Sequence, residues 1–210
     1  MTLVIGNKNL SSWSLRPWIV LTHFKIPFRE IKIFLRQPDS KKNILKYSPS
    51  GKVPLLIHGK LKVWDSIAIC EYLADLFPQK NLWPRDKKAR AVARSISAEM
   101  HSEFQALRSN CSMNVTLRKP HHPQTPASSL DIERIVSLWT NCRKIFGKKG
   151  SFLFGDFSIA DAMYAPVIFR FSSYGVSLSG AARIYFETML ELPAMKAWAR
   201  DAAKEVHLHG

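Results

Sequence analysis

The spacing of apolar and polar positions changes character partway along the chain. Leu3-Val4-Ile5 is a short apolar run closed by Gly6, which predicts a strand. Ser11, Ser12 and Ser14 then supply helix-capping chemistry. From Leu15 to Phe24 a helical face forms with Trp18, Leu21 and Thr22, and Pro17 is tolerable in a first turn. Pro27 ends it. Ile31, Ile33 and Leu35 alternate with Lys32 and Phe34, as a half-buried strand does. After a polar stretch, Val53-Pro54-Leu55-Leu56-Ile57 and Leu61-Lys62-Val63-Trp64 flank His58-Gly59-Lys60, a β-hairpin pattern. Asp65-Ser66 then caps a helix in which Ile69, Leu73, Leu76 and Phe77 recur at helical spacing. Residues 1–78 thus read β-α-β, then β-β-α.

Pro78 to Pro84 reads as a linker, and nearly everything beyond it is helix-like. Arg85 to Arg108 has neither Pro nor Gly and predicts one long helix. Asn110 to Ser129 is polar, holds Pro120, Pro123 and Pro126, and predicts a loop. Asp131 to Phe146 is amphipathic, with Ile132, Ile135, Leu138, Trp139 and Cys142 on one side, and Gly147-Lys148-Lys149-Gly150 breaks it. A further helix starts at Ser158, where Pro166 predicts a kink, and a last one covers Pro193 to Ala203. The fold class is α+β: an α/β domain over residues 1–78 and an all-helical domain over 85–210.

Composition narrows the class of function. No run reaches the ~18 apolar residues that span a bilayer, and the N-terminus turns polar too soon for a signal peptide. Cys70, Cys111 and Cys142 are odd in number and widely spaced, which argues against disulfides and zinc and fits a reducing cytoplasm. The formal net charge is +15. Residues 1–78 carry 12 basic and 5 acidic side chains, a balance of +7, and the remainder carries +8. With no block of five basic residues, this is a diffuse positive field and not a nucleic-acid docking stripe.

Three segments carry candidate chemistry. In Asn9 to Trp18, three serines stand between a strand and a helix. A helix N-terminus there offers unpaired N–H groups and the positive end of a dipole, and a serine hydroxyl can donate to a bound thiolate. The same serines suit plain N-caps. Pro54 inside a strand run cannot donate to a ladder; were the Val53–Pro54 bond cis, Val53 would be free to pair with an extended peptide ligand. The third segment is Asp65-Ser66, where Ser66 and the first N–H groups of a helix suit a carboxylate, and Asp65 suits an ammonium.

In this order and spacing the three segments resemble the N-terminal domain of cytosolic glutathione transferases. Phe157-Ser158-Ile159-Ala160-Asp161 resembles the N-capping box of that family's helical domain, with Ser158 at N-cap and Asp161 at N3. The resemblance spans almost the full chain. Ser11-Ser12-Trp13-Ser14-Leu15-Arg16 is similar to the Ser-Ser-Cys-Ser-Trp-Arg signature of the zeta class, which includes maleylacetoacetate isomerases. Trp13 stands where that signature has Cys, and Asp65 where zeta enzymes usually have Gln; both departures count against isomerase activity. The helix Ser97 to Ser102 and the Ser-Ser-Trp-Ser motif resemble a set of bacterial relatives.

The resemblance implies a thioredoxin-like first domain, an all-helical second one, a homodimer, and glutathione as co-substrate with no metal. It implies that Ser11 hydrogen-bonds the glutathione sulfur, with Ser12 or Ser14 as the alternative. Val53, beside a cis Pro54, would pair with the cysteinyl backbone. Asp65 and Ser66 would hold the γ-glutamyl ammonium and carboxylate. Lys52 and Arg16 complete the glutathione-binding set, Arg16 by adding positive potential or by a structural pairing. The second substrate, a small electrophile (an acidic one left open) or a peroxide, would sit between the domains. Met100, Phe104, Leu107 and Arg108 line that side if they share one helix face, although a core stripe has the same spacing. His101 reads as a helix-surface residue, and His121-His122 and His207-x-His209 as incidental. The implied activity is glutathione transferase chemistry. The alternatives are a maleylacetoacetate-type isomerase and a non-catalytic binding or assembly module.

Overall fold

In the computed structural model of the chain, which describes residues 1–206 (the last by its backbone), β1 (Thr2–Gly6) is the central strand. It pairs in parallel with β2 (Arg29–Ile33) and antiparallel with β3 (Leu55–His58), and β3 pairs antiparallel with β4 (Leu61–Val63). The sheet order is β2-β1-β3-β4. Both faces of β1 are covered, so its apolar run is continuous. Leu3 and Ile5 enter the main core with α1 (Ser12–His23) and α3 (Ser66–Leu76). Val4 and Leu55 face the other way, into a small core with Ile33 and with Ile44 of α2 (Ser40–Leu45). This is a thioredoxin-like unit. Gly59, at φ +60°, turns the β3–β4 hairpin.

Past a 3-10 turn (Pro78–Lys80) the described chain is helical: α4 (Lys87–Ser102), α5 (Gln105–Asn110), α6 (Pro126–Ile145), α7 (Ile159–Tyr174), α8 (Gly180–Glu191) and α9 (Pro193–Val206). α7 is buried on nearly every side, the mark of a central helix. It packs against α1 and α4, and α9 also packs against α1, so both units share one apolar core. The Asp161 carboxylate accepts the Ser158 backbone N–H at 2.8 Å and the Leu153 N–H at 3.1 Å, closing the capping box at the start of α7. No helix among the described residues is long and apolar enough to cross a membrane.

The long helix predicted from Arg85 to Arg108 is broken. α4 stops at Ser102, Glu103 is extended, and Phe104 takes a left-handed conformation at φ +65° before α5 begins. That conformation costs a bulky residue on the order of 1–3 kcal/mol. It turns Phe104 into the core, and it lets Arg108 donate to the carbonyls of Met100, His101 and Glu103 at the end of α4. Two further helices escape the hydrophobic pattern. α2 buries only Ile44, and α8 opens at Gly180 after the N-cap Ser179 and buries a stripe of Ala182, Tyr185 and Met189. α7 runs through Pro166 from Ile159 to Tyr174.

Candidate functional site

A cleft of ≈ 610 Å³ opens where the N-terminus of α1, the β3 entry and the N-terminus of α3 converge. Lys52, Val53, Pro54, Asp65 and Ser66, all singled out by the sequence, line it together with Trp13. The Val53–Pro54 peptide is cis, as is Trp64–Asp65. Neither backbone group of Val53 has a partner among the described residues. Ser66 is fully buried, and its Oγ has no hydrogen-bond partner either. Buried hydroxyls are normally satisfied, so Ser66 and the Val53 backbone leave this wall with hydrogen-bonding capacity that the described residues do not use. Asp65 is the N-cap of α3: its Oδ1 accepts the Ile67 N–H at 3.2 Å, while half of the side chain stays exposed.

The three serines have separate roles. Ser14 is fully buried, accepts the Gly6 N–H at 3.0 Å and accepts the Ser11 hydroxyl at 2.7 Å. These two bonds tie it into the β1–α1 junction; Ser11, Ser12 and Ser14 all stand beside Trp13 and outside the lining of the cleft itself. Ser11 is the N-cap of α1, 5% exposed, and makes no capping bond with its side chain. The Ser12 hydroxyl makes no hydrogen bond to any described residue. Gly6 is required for this packing: a Cβ there would lie 2.9 Å from Ser11 Oγ and 2.7 Å from Leu35 Cδ1.

Behind the cleft lies a cationic cluster that the sequence does not announce. The Arg16 guanidinium stacks on the Trp13 ring at 4.2 Å, and that of Arg108 lies over the same ring at 5.0 Å. Arg16 is 1% exposed; it reaches the Met100 carbonyl, and its Nε and Nη1 have no partner. Burial, with Arg108 adding repulsion, brings its pKa down to about 9. Neither arginine is in an ion pair among the described residues. Arg170, 6% exposed, donates to the Arg108 and Cys111 carbonyls, and burial followed by Arg108 brings it to about 10.

The residues expected around the second substrate mostly go elsewhere. Met100, Phe104 and Leu107 are buried in the main core: Met100 continues the buried stripe of Ala93, Ile96 and Ser97 on α4, as the core-stripe alternative has it, and the break after α4 carries Phe104 and Leu107 off that face. Arg108 alone reaches toward the cleft, through Trp13. His101 is a quarter exposed and also has partners: its Nε2 lies 3.0 Å from Asp65 Oδ2, and its ring meets Trp13 edge-on. The readable signal was its position four residues after the buried Ser97, which itself stands four after the buried Ala93. Cys70 is buried, and desolvation pushes its thiol far up, so it is no thiolate nucleophile. Among the described histidines, His122 bonds the Asn110 carbonyl. His207 and His209 lie outside the described residues.

Two family models match the chain: the N-terminal domain of glutathione S-transferases over residues 10–76 and the C-terminal domain over 125–201. A probable maleylacetoacetate isomerase of Caenorhabditis elegans is 25% identical over 94% of this chain and 92% of its own length. A stringent starvation protein A homolog of Coxiella burnetii is 25% identical over 98% of this chain and 94% of its own. Among solved structures, a glutathione transferase homolog from Burkholderia gl BGR1 with bound glutathione superposes with a TM-score of 0.72 at 23% identity, covering 97% of this chain and 98% of the other.

Proposed function

The chain belongs to the glutathione S-transferase superfamily, and on that premise we propose that it is an enzyme that binds glutathione and presents its thiolate to a small electrophile. The observation that carries this is the unpaired Ser66 hydroxyl beside the unpaired Val53 backbone, with Asp65 on the same wall. A cleft of ≈ 610 Å³ falls in the size range of small-ligand sites. Val53 pairs with the cysteinyl backbone, Ser66 and the first N–H groups of α3 take the γ-glutamyl carboxylate, Asp65 takes the ammonium, and Lys52 adds positive charge at the rim.

Glutathione supplies the nucleophilic sulfur; the chain supplies its setting. A free thiol titrates near pKa ~8.5, and the positive end of α1 with a donated hydroxyl favours its ionised form. Ser11 does this once its proton turns from Ser14 to the sulfur, and Ser12 is the second donor within the same turn. Arg16 and Arg108, both against Trp13 and neither in an ion pair among the described residues, favour an electrophile that carries a carboxylate. The likeness to the nematode isomerase supports a second reading, cis-trans isomerisation of an acidic substrate by the same thiolate.

Calorimetric titration with glutathione, alongside Ser11→Ala and Ser12→Ala, tests the proposal. The serine that serves the sulfur is expected to lose about 100-fold in turnover on substitution, the effect of removing one such donor, with affinity changed far less. An assay of glutathione-dependent isomerisation separates the two reactions. No glutathione binding at millimolar ligand would reject both and leave a binding module.

A further inference from the structure

We propose that His101, on the helical unit, is a positioning residue for Asp65: it holds that carboxylate toward the ammonium of the bound ligand, and it leaves the charge of Asp65 intact because it acts as a neutral donor. The proposal rests on the reading of the cleft as a glutathione site.

The geometry comes from four helices, α1, α3, α4 and α5. Asp65 caps α3 with Oδ1 on the Ile67 N–H, and its Oδ2 lies 3.0 Å from His101 Nε2, which reaches across from the last turn of α4. A half-exposed carboxylate with one anchor is free to swing. With an anchor on each oxygen its plane is fixed. An ionised carboxylate only accepts, so the hydrogen of the imidazole sits on Nε2. The ring is itself held. It meets Trp13 edge-on, with centroids 5.1 Å apart and planes at 78°. Trp13 is in turn packed against the guanidiniums of Arg16 and Arg108, and Arg108 ties down the carbonyls of Met100 and His101. Trp13 and Asp65 both line the cleft, so the contact stands at its edge.

His101 Nδ1 is buried and has no partner. Protonating it would bury an N–H without an acceptor. The charged groups facing the ring are Asp65 from α3, Arg16 from α1 and Arg108 from α5. Burial is the largest influence and favours the neutral ring; Asp65 opposes it, the two arginines reinforce it, and the balance lies below the ordinary histidine value. An imidazolium at this point would cancel the charge of Asp65 and compete with the ligand's ammonium.

The test uses S-methylglutathione, which has no thiol to titrate, and its N-acetyl derivative, which has no ammonium. Dissociation constants are measured between about pH 5 and 8 for the wild type, His101→Gln and His101→Ala. In the wild type, affinity for S-methylglutathione is expected to hold near pH 8 and to fall as the pH drops below the ordinary histidine range. The N-acetyl derivative should show no such fall. His101→Gln keeps a neutral donor, so it should bind like the wild type near pH 8 and lose the acid decline. His101→Ala should bind S-methylglutathione about tenfold more weakly near pH 8, the size of one charge-assisted hydrogen bond, and the N-acetyl derivative unchanged. Equal binding by wild type and His101→Ala, or an acid decline that survives in His101→Gln, overturns the proposal while the site reading stands. A wild type that binds neither compound overturns both.

Discussion

At the scale of single residues, Ser66 separates stability from binding. Its hydroxyl is buried without a partner, so it contributes no internal hydrogen bond to the free protein. Removing an unsatisfied buried polar group is neutral or stabilising, whereas losing a hydrogen bond to a charged ligand group costs about 1.5–3 kcal/mol. Ser66→Ala is therefore expected to melt at or above the wild-type temperature and to bind glutathione roughly 10- to 100-fold more weakly. Thermal scans with and without glutathione check both halves at once; a variant that melts lower without ligand contradicts the argument. Local rules mark Ser66, Asp65 and Val53 only as a cap opening a helix and a proline in a strand run; the order and spacing of the three segments, through the resemblance they carry, joined them into one candidate site. Trp13 was visible only as a departure from a motif. Its role depends on guanidiniums from α1 and α5 and an imidazole from α4, and no local pattern announces that meeting. Likewise Ser14 looks the same as Ser11 in sequence. Only the distance to the Gly6 amide shows it to be structural.

At the scale of elements, the hydrophobic period located the strands and the longer helices but not the break within α4–α5. Nothing in Arg85 to Arg108 disfavours a helix locally; burying Phe104 and capping the α4 carbonyls with Arg108 decide it, and both are tertiary. The docking of α9 was equally hidden. Glu205, 4% exposed, accepts the Lys8 and Asn9 N–H groups at 3.0 Å each and pairs with Lys32. Lys8 pairs with Asp201 and Glu30 and lies over the rings of Trp18 and Trp198, and the Trp198 indole donates to the Lys8 carbonyl. Glu205→Ala would leave two buried amides and a cation unpaired, a loss of about 3 kcal/mol, read as a lower midpoint in urea. The same latch sets a pH response. Burial pushes the Asp201 carboxyl up, but the hydrogen bond and charge of Lys8, with Lys204 and Arg200 beyond, hold it below its usual value. A carboxyl depressed in the folded state stabilises the fold above its unfolded pKa, about 3.9, and that contribution disappears as the pH falls through the folded value. Stability measured from pH 6 downward should therefore show an acid decline that Asp201→Asn reduces.

At the scale of the whole molecule, the +15 charge is spread over both units, and several of the acids are paired with cations inside the fold. Glu30, Asp201 and Glu205 are used in the α9 latch, Asp161 in a buried cap, and Glu71 and Glu99 in ion pairs with Arg94 and Arg134. Each ion pair cancels a cation together with its acid, so the exterior field is that of the remaining excess of +15. Glutathione, with two carboxylates and one ammonium, is a net anion near neutral pH, and such a field raises its encounter rate. The screening length falls from about 30 Å at 0.01 M salt to about 3 Å at 1 M. If the field steers the ligand, kcat/KM for glutathione should fall several-fold across that range while kcat holds, because steering acts on encounter and not on the bound thiolate. Glutathione diethyl ester, which carries a net positive charge, should show the opposite trend. A dependence shared by both ligands would place the salt effect on the protein's stability instead. Retention on nucleic acid with a steep salt slope would assign the charge to a different partner, and the even split of +7 and +8 along the chain argues against that outcome.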